Sequence, residues 1–207
     1  GVAVQSKFFA VGSVVPWAKA GVGAVATQSY ANVDYGPEGL KRLAKGQSAK
    51  QTADALTKAD SNRRLRQLGI VDAKGRSASF TGSSCKHWAG HIEKPNFCAQ
   101  GNILTGEEVV RSMVNGYEQA QKKTGTGLCD WLALALMEGQ NAGGDSRGRQ
   151  SAALLVVRKN GGYAGGNDRF IDLRVDDHKT PIVELLRLLS IHKKMFRRAH
   201  ENPPKAG

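Results

Sequence analysis

The order of helical and strand-like segments is the feature that most limits the fold. Apolar periodicity along the 207 residues reads as strands, a helix pair, strands, a second helix pair, strands and a last helix. Regular βαβ alternation is absent, which disfavours a doubly wound parallel sheet. Helix pairs set between groups of strands suit sheets packed face to face with helices outside them. The expected fold is α+β: a four-layer αββα sandwich with mainly antiparallel sheets. Residues 1–191 are assigned to that domain and 192–207 to a basic C-terminal tail.

Local signals place the elements. Val2 to Gln5, Ala10 to Val15 and Val22 to Thr27 are rich in Val and Ala and read as strands of a buried sheet. Gly36-Pro37 opens a helix that Gly46 closes. Ser48 and Gln51 form a capping box for the next helix. Leu65 to Val71 and Ser77 to Thr81 flank a turn and read as a hairpin. A further strand falls between His91 and Asn102. Thr105 and Glu108 suggest a capping box for a long helix, and a second long helix runs to Gly139. Strands at Ala152 to Val157 and Phe170 to Val175 follow, and Thr180-Pro181 starts the last helix. Val110, Met113 and Leu132 are expected under one sheet, with Leu185 and Leu189 in the opposite helix layer.

The net charge of +12 permits an anionic partner. The chain lacks zinc-finger spacing, an aromatic RNA-binding motif and a recognition-helix pattern, so no specific nucleic-acid partner is expected. No apolar run spans a bilayer and no signal-peptide pattern opens the sequence, which points to no membrane partner and a cytoplasmic location. Cys85, Cys98 and Cys129 are an odd set, read as reduced thiols. Cys85, His87, His91 and Cys98 match no familiar zinc spacing, and neither metal nor cofactor is expected. The remaining partner is a small-molecule substrate, and a homo-oligomer is compatible with the composition.

Polar residues cluster where strands end. Gly143 to Ser151 packs Asp145, Arg147, Gln150 and Ser151 between a helix and an apolar strand, and polar groups so placed need partners or a ligand. Ser6 and Lys7, Thr27 and Gln28, and Gln100 and Asn102 end other strands. Asp176, Asp177 and His178 precede the last helix, where carboxylates are also favoured by the helix dipole. Lys7, Asn102, Asp145, Arg147 and Ser151 are the candidate catalytic residues. Ser6, Thr27, Gln28, Gln100, Gln150, Asp176, Asp177 and His178 are the candidate ligand-binding residues.

Gly1 to Gly12, Gly21 to Gln28, Gln100-Gly101-Asn102, Gly144 to Gly148, Gln150-Ser151-Ala152 and Asp172 to His178 together resemble a bacterial and archaeal family of domains of unknown function, DUF1028. That family in turn resembles the N-terminal nucleophile (Ntn) hydrolases. The resemblance implies the αββα sandwich and, more distantly, hydrolysis of an amide or peptide-like bond. In Ntn hydrolases a terminal Thr, Ser or Cys supplies the nucleophile and its amine the base. Residue 1 here is Gly, which has no such side chain, and the family's upstream strand is not among these residues.

Two functions are therefore expected in competition. One is an Ntn-hydrolase-like amidohydrolase acting on a small amide or peptide-like substrate, with Ser151 as an internal nucleophile candidate. The other is a non-catalytic binding module for a small carboxylate or phosphate, which Arg147 suits through its bidentate fork.

Overall fold

A computed structural model describes residues 1–197 and residue 200. Among them are nine strands and five α-helices. The strands are β1 (Val2–Ser6), β2 (Pro16–Lys19), β3 (Gly23–Ser29), β4 (Arg66–Asp72), β5 (Ser77–Thr81), β6 (Gly90–Lys94), β7 (Phe97–Gly101), β8 (Ser151–Val157) and β9 (Arg169–Val175). The helices are α1 (Tyr35–Ala44), α2 (Ala49–Ala59), α3 (Glu108–Gln121), α4 (Leu128–Asn141) and α5 (Pro181–Met195). Three sheets form, in the orders β1-β8-β9, β2-β3-β4-β5 and β6-β7. Every pairing between these strands is antiparallel.

Alternation along β3 sorts its neighbours. Val25 faces α1 and α2, joining Leu43, Ala53 and Leu56 together with Leu68 and Ile70 of β4. Ala24 and Ala26 face the other way and pack with Val2, Val4 and Ala153 of the β1-β8-β9 sheet. This is the period-two rule of a strand with both faces buried. The opposite face of β8 buries Leu154 and Val156 against α4 and α5, through Leu136, Leu185 and Leu189.

Several local expectations hold. Ser48 accepts from the Gln51 amide while the Gln51 side chain accepts from the Ser48 amide, so α2 begins with the capping box. β4 and β5 pair as a hairpin. Pro181 stands in the first turn of α5.

Other expectations need correction. Leu185 and Leu189 share one core with Leu132 and Met113, so they do not form the opposite helix layer. The cause is connectivity: α5 follows β9 after a short link and folds back over the sheet that β9 has just left. Val110 lies in a smaller cluster with Ala99 of β7. Ala10 to Val15 is no strand; Val11–Ser13 is a 3-10 turn entered through Ala10 at φ 51°. The Val11 amide, which a ladder would have used, donates instead to the Ser151 hydroxyl. The strand expected between His91 and Asn102 is a hairpin, β6 and β7, turning at Asn96 with φ 74°. Thr105 does not cap α3, whose start carries no side-chain cap. Its amide donates to the Gly144 carbonyl, drawn into the loop that follows α4.

The boundary drawn at residue 192 runs through α5. Lys193 forms an ion pair with Asp130 of α4, and the His192 ring meets Phe170 edge-on at 5.8 Å. Residues 198, 199 and 201–207 of the basic tail lie outside the described residues. Within the described residues no helix is long and apolar enough to cross a membrane.

Candidate functional site

The loop from Gly143 to Gln150 is built by glycine. Gly143, Gly144 and Gly148 have φ of 119°, 63° and 110°, values that L side chains rarely adopt. The turns they allow aim the backbone of the loop at two other segments. Ser146 donates to the Ile103 carbonyl through both its amide and its hydroxyl. Leu104 and Asp145 form an isolated antiparallel bridge. Gln150 donates its amide to the Ser6 carbonyl, and Lys7 donates its amide to Asp145 Oδ2 at 3.1 Å. The loop thereby ties the end of β1 to the end of β7.

Asp145 is the centre of this knot. Its side chain is 6% exposed and pairs with the Arg147 guanidinium, with Nε to Oδ1 at 3.0 Å and Nη2 to Oδ2 at 2.6 Å. The Arg147 amide adds a third bond to Oδ1. Burial pushes the carboxyl pKa up. The guanidinium and the Arg147 and Lys7 amides outweigh it, holding Asp145 below the usual carboxylate range. Arg147 is half-exposed, at 44%, and its Nη2 reaches Ser6 Oγ at 3.5 Å.

A cavity of about 1030 Å³ opens beside this pair. Of the residues expected from sequence, Ser6, Gln28, Gln100, Asn102, Asp145 and Arg147 line it. They come from four separate chain segments. Lys7, Thr27, Gln150, Ser151, Asp176, Asp177 and His178 do not line it. Lys7 contributes its backbone to Asp145 while its side chain is exposed. The Thr27 hydroxyl is buried and donates to the Asn32 carbonyl. Gln150 donates to Asp177 on the outside of the loop, and His178 Nδ1 accepts from the Thr180 amide at the start of α5. Asp176 accepts from the Ala10 amide through its carbonyl.

Ser151 is fully buried. Its hydroxyl accepts from the Val11 amide and donates to the Phe8 carbonyl. Both capacities are used in holding the turn after β1, so the hydroxyl is not offered to a ligand.

Gln67 of β4 was not singled out by sequence, yet it positions two of the lining residues. It is fully buried. Its Oε1 accepts from Gln28 Nε2 at 2.9 Å and from Asn102 Nδ2 at 3.2 Å. Its Nε2 faces the Gly101 carbonyl at 2.8 Å, the Gly90 carbonyl at 3.1 Å and Thr81 Oγ1 at 2.9 Å. The available signal was a lone amide in the apolar strand Leu65 to Val71, where an unpaired polar group is costly. Two positions further along β4, Gly69 leaves the space that the Gln100 side chain fills; a Cβ there would stand 2.5 Å from Gln100 Oε1. Gln5 and Gln140 also line the cavity.

Comparison with known proteins identifies relatives of the whole domain. The model of a family described as a family of unknown function, DUF1028, matches residues 1–185. Among solved structures, a DUF1028-family protein from Silicibacter pomeroyi is similar at 28% identity and a TM-score of 0.81, over 92% of this chain and 79% of that one. No curated protein matches.

Proposed function

This chain belongs to the DUF1028 family, and from that membership and the cavity we propose that it is an Ntn-hydrolase-like amidohydrolase acting on a small amide or peptide-like substrate. The observation that carries the reading is convergence. Ser6, Gln28, Gln100, Asn102 and the Asp145–Arg147 pair arrive from distant segments at one cavity. Independent turns would not need a common wall. The packing of α1 and α2 on one sheet, that sheet on β1 and β8, and those on α4 and α5 supports an αββα order of layers. Side-chain amides and a guanidinium at a partly enclosed wall are donors suited to a developing oxyanion. Ser151 is not assigned the role of nucleophile, because its hydroxyl is enclosed.

Amine or ammonia release from glutamine, asparagine and short N-acylated amines tests the reading. Arg147→Ala should lower kcat/KM on the order of 100-fold, as loss of a charge-assisted contact to the transition state does. Its circular dichroism should match the parent. No turnover of any amide by the parent protein would remove the hydrolase reading.

The binding-module reading is favoured by one feature: half of Arg147 stays accessible even while it pairs with Asp145. Calorimetry with small carboxylates and inorganic phosphate separates the two. Saturable binding abolished by Arg147→Ala, without amide turnover, is the signature of the module.

A further inference from the structure

The end of the molecule opposite the 143–148 loop is built from three segments. β8 starts beside that loop at Ser151 and runs out at Val157, and β9 comes back from Arg169. α5 also starts near the loop, where the His178 amide donates to the Gln150 carbonyl, and it ends at Met195. Its 15 residues span roughly 22 Å. The far end is therefore formed by the β8–β9 loop, the end of α5 and the loop joining α3 to α4. Contacts hold the three together. Phe170, at the root of the β8–β9 loop, meets the His192 ring at 5.8 Å and lies under the Arg158 guanidinium at 4.0 Å. Lys193 pairs with Asp130 in the first turn of α4.

Large apolar side chains stand out on this end. Tyr163 is 83% exposed at the tip of the β8–β9 loop, and Met195 is 72% exposed at the end of α5. Ile191 and Phe196 are exposed beside Met195. These are four of the nine exposed large hydrophobic side chains among the described residues. Apolar residues scattered singly over a surface are ordinary, but a group of them at one end marks a contact. The loop under Tyr163 is tied internally: Gly162 donates its amide to the Asn167 carbonyl, and Asn160 donates its amide to the Asp168 carboxylate. Lysines surround the group. Lys122 and Lys123 lie between α3 and α4, Lys159 lies in the β8–β9 loop, and Lys194 shares a helix face with Ile191. All four are exposed, and none forms an ion pair among the described residues. The described acids nearby are already engaged: Asp130 by Lys193, Glu118 by Lys94, Asp172 by Arg169 and Arg174, and Asp168 by the Asn160 amide.

We propose that this end docks on an anionic lipid bilayer, with Tyr163 and Met195 entering the headgroup layer and the four lysines set against the lipid charges. Tyrosine suits the boundary between headgroups and acyl chains. Lysine stems lie along apolar surface while the ammonium group stays in water. Contact of this kind needs no spanning helix. A nucleic acid would answer the lysines and leave Ile191 and Met195 exposed. An apolar protein surface would cover those two and leave the lysines unmatched. An anionic bilayer answers both, because charge and hydrocarbon lie within a few ångströms of each other there. Docked this way, the molecule turns the 143–148 loop and Arg147 away from the lipid, and the site stays open to solvent. Lipid binding is read without turnover, so failure of the hydrolase reading leaves it untouched.

The test is co-sedimentation of the 207-residue protein with vesicles of phosphatidylcholine, alone or mixed with phosphatidylserine. We expect binding to the mixed vesicles only, weakening as salt is raised. Each lysine near an anionic surface strengthens binding about fivefold, so Lys159→Glu together with Lys194→Glu should weaken it by about 25-fold or more. Tyr163→Ser should weaken it several-fold with unchanged circular dichroism. Tyr163→Trp should show an emission band that moves to the blue on mixed vesicles, a shift the parent lacks. Equal binding to both kinds of vesicle, or binding to neither, overturns the proposal. So does binding to mixed vesicles that survives the two lysine replacements, or that is indifferent to Tyr163→Ser. Binding to duplex DNA without binding to vesicles assigns the lysines to nucleic acid and overturns it as well.

Discussion

The Lys7 amide donates to the Asp145 carboxylate across 138 residues of chain, at 3.1 Å. The residue after β1 and the loop before β8 are therefore held as one unit, whatever the rest of the chain does. The same carboxylate also holds Arg147 at the cavity wall. Structure and site share one group, and its charge state governs both.

That sharing sets a pH dependence. The folded-state pKa of Asp145 lies below its ordinary value of about 3.9. A depressed carboxylate adds stability above the unfolded pKa, and that addition is lost as pH falls through the folded value. Asp145→Asn should therefore lower stability by roughly 1–3 kcal/mol at pH 6. The gap to the parent should narrow below about pH 4. Urea unfolding of both proteins between pH 3 and 7 measures it; a gap constant across that range contradicts the assignment.

Gln67 should be among the least replaceable polar residues. Gln67→Leu keeps the size but strands the Gly101 carbonyl and the amides of Gln28 and Asn102. We expect a loss of about 2–4 kcal/mol in urea unfolding, from several buried groups left unpaired together. Gln67→Glu is the sharper control, since it removes the donors while keeping the acceptor.

Gly36 should defy helix propensity. Replacing a helical glycine with alanine ordinarily gains about 1 kcal/mol. A Cβ at Gly36 would collide with the Trp17 ring, and that ring is anchored by its own Nε1 donating to the Val14 carbonyl at 3.0 Å. Gly36→Ala should instead lower Tm by several degrees, while Gly106→Ala, with open space around it, should change Tm little.

Where the chain is cut beyond Leu189 should matter. Ending it at Ile191 removes the Lys193–Asp130 ion pair and the contact of His192 with Phe170. The pair is partly buried, and we expect a loss of roughly 1–2 kcal/mol. Ending it after residue 200 keeps both and should leave chemical unfolding unchanged.

Signals carried by adjacent residues were the legible part of this fold. The Ser48–Gln51 box, the turn between Val71 and Ser77 and Pro181 each act through near neighbours in the chain, and the structure has each of them. Signals that depend on a distant partner were not legible. Val11 looks like strand until Ser151 takes its amide. Thr105 looks like a cap until Gly144 claims its backbone. Gln67 is one amide in an apolar run until β7 and β3 surround it. The same limit applies to the site. Residue types pointed to Asp145, Arg147, Asn102 and Gln100, which do share a cavity wall. Ser151, equally polar in the sequence, is spent on the turn after β1.

The pairing of β1 with β8 also has a consequence for how the protein is made. The Val11 amide meets its partner Ser151 140 residues later, and every ladder bond of β1 waits on the same stretch. At about 5–20 residues per second of synthesis, that is a delay of roughly 7–30 s. Throughout it, Val2 and Val4 wait for their partners in β8. Folding of this chain is therefore expected to be slow and late, with β1 exposed to chaperones and proteases until β8 has emerged.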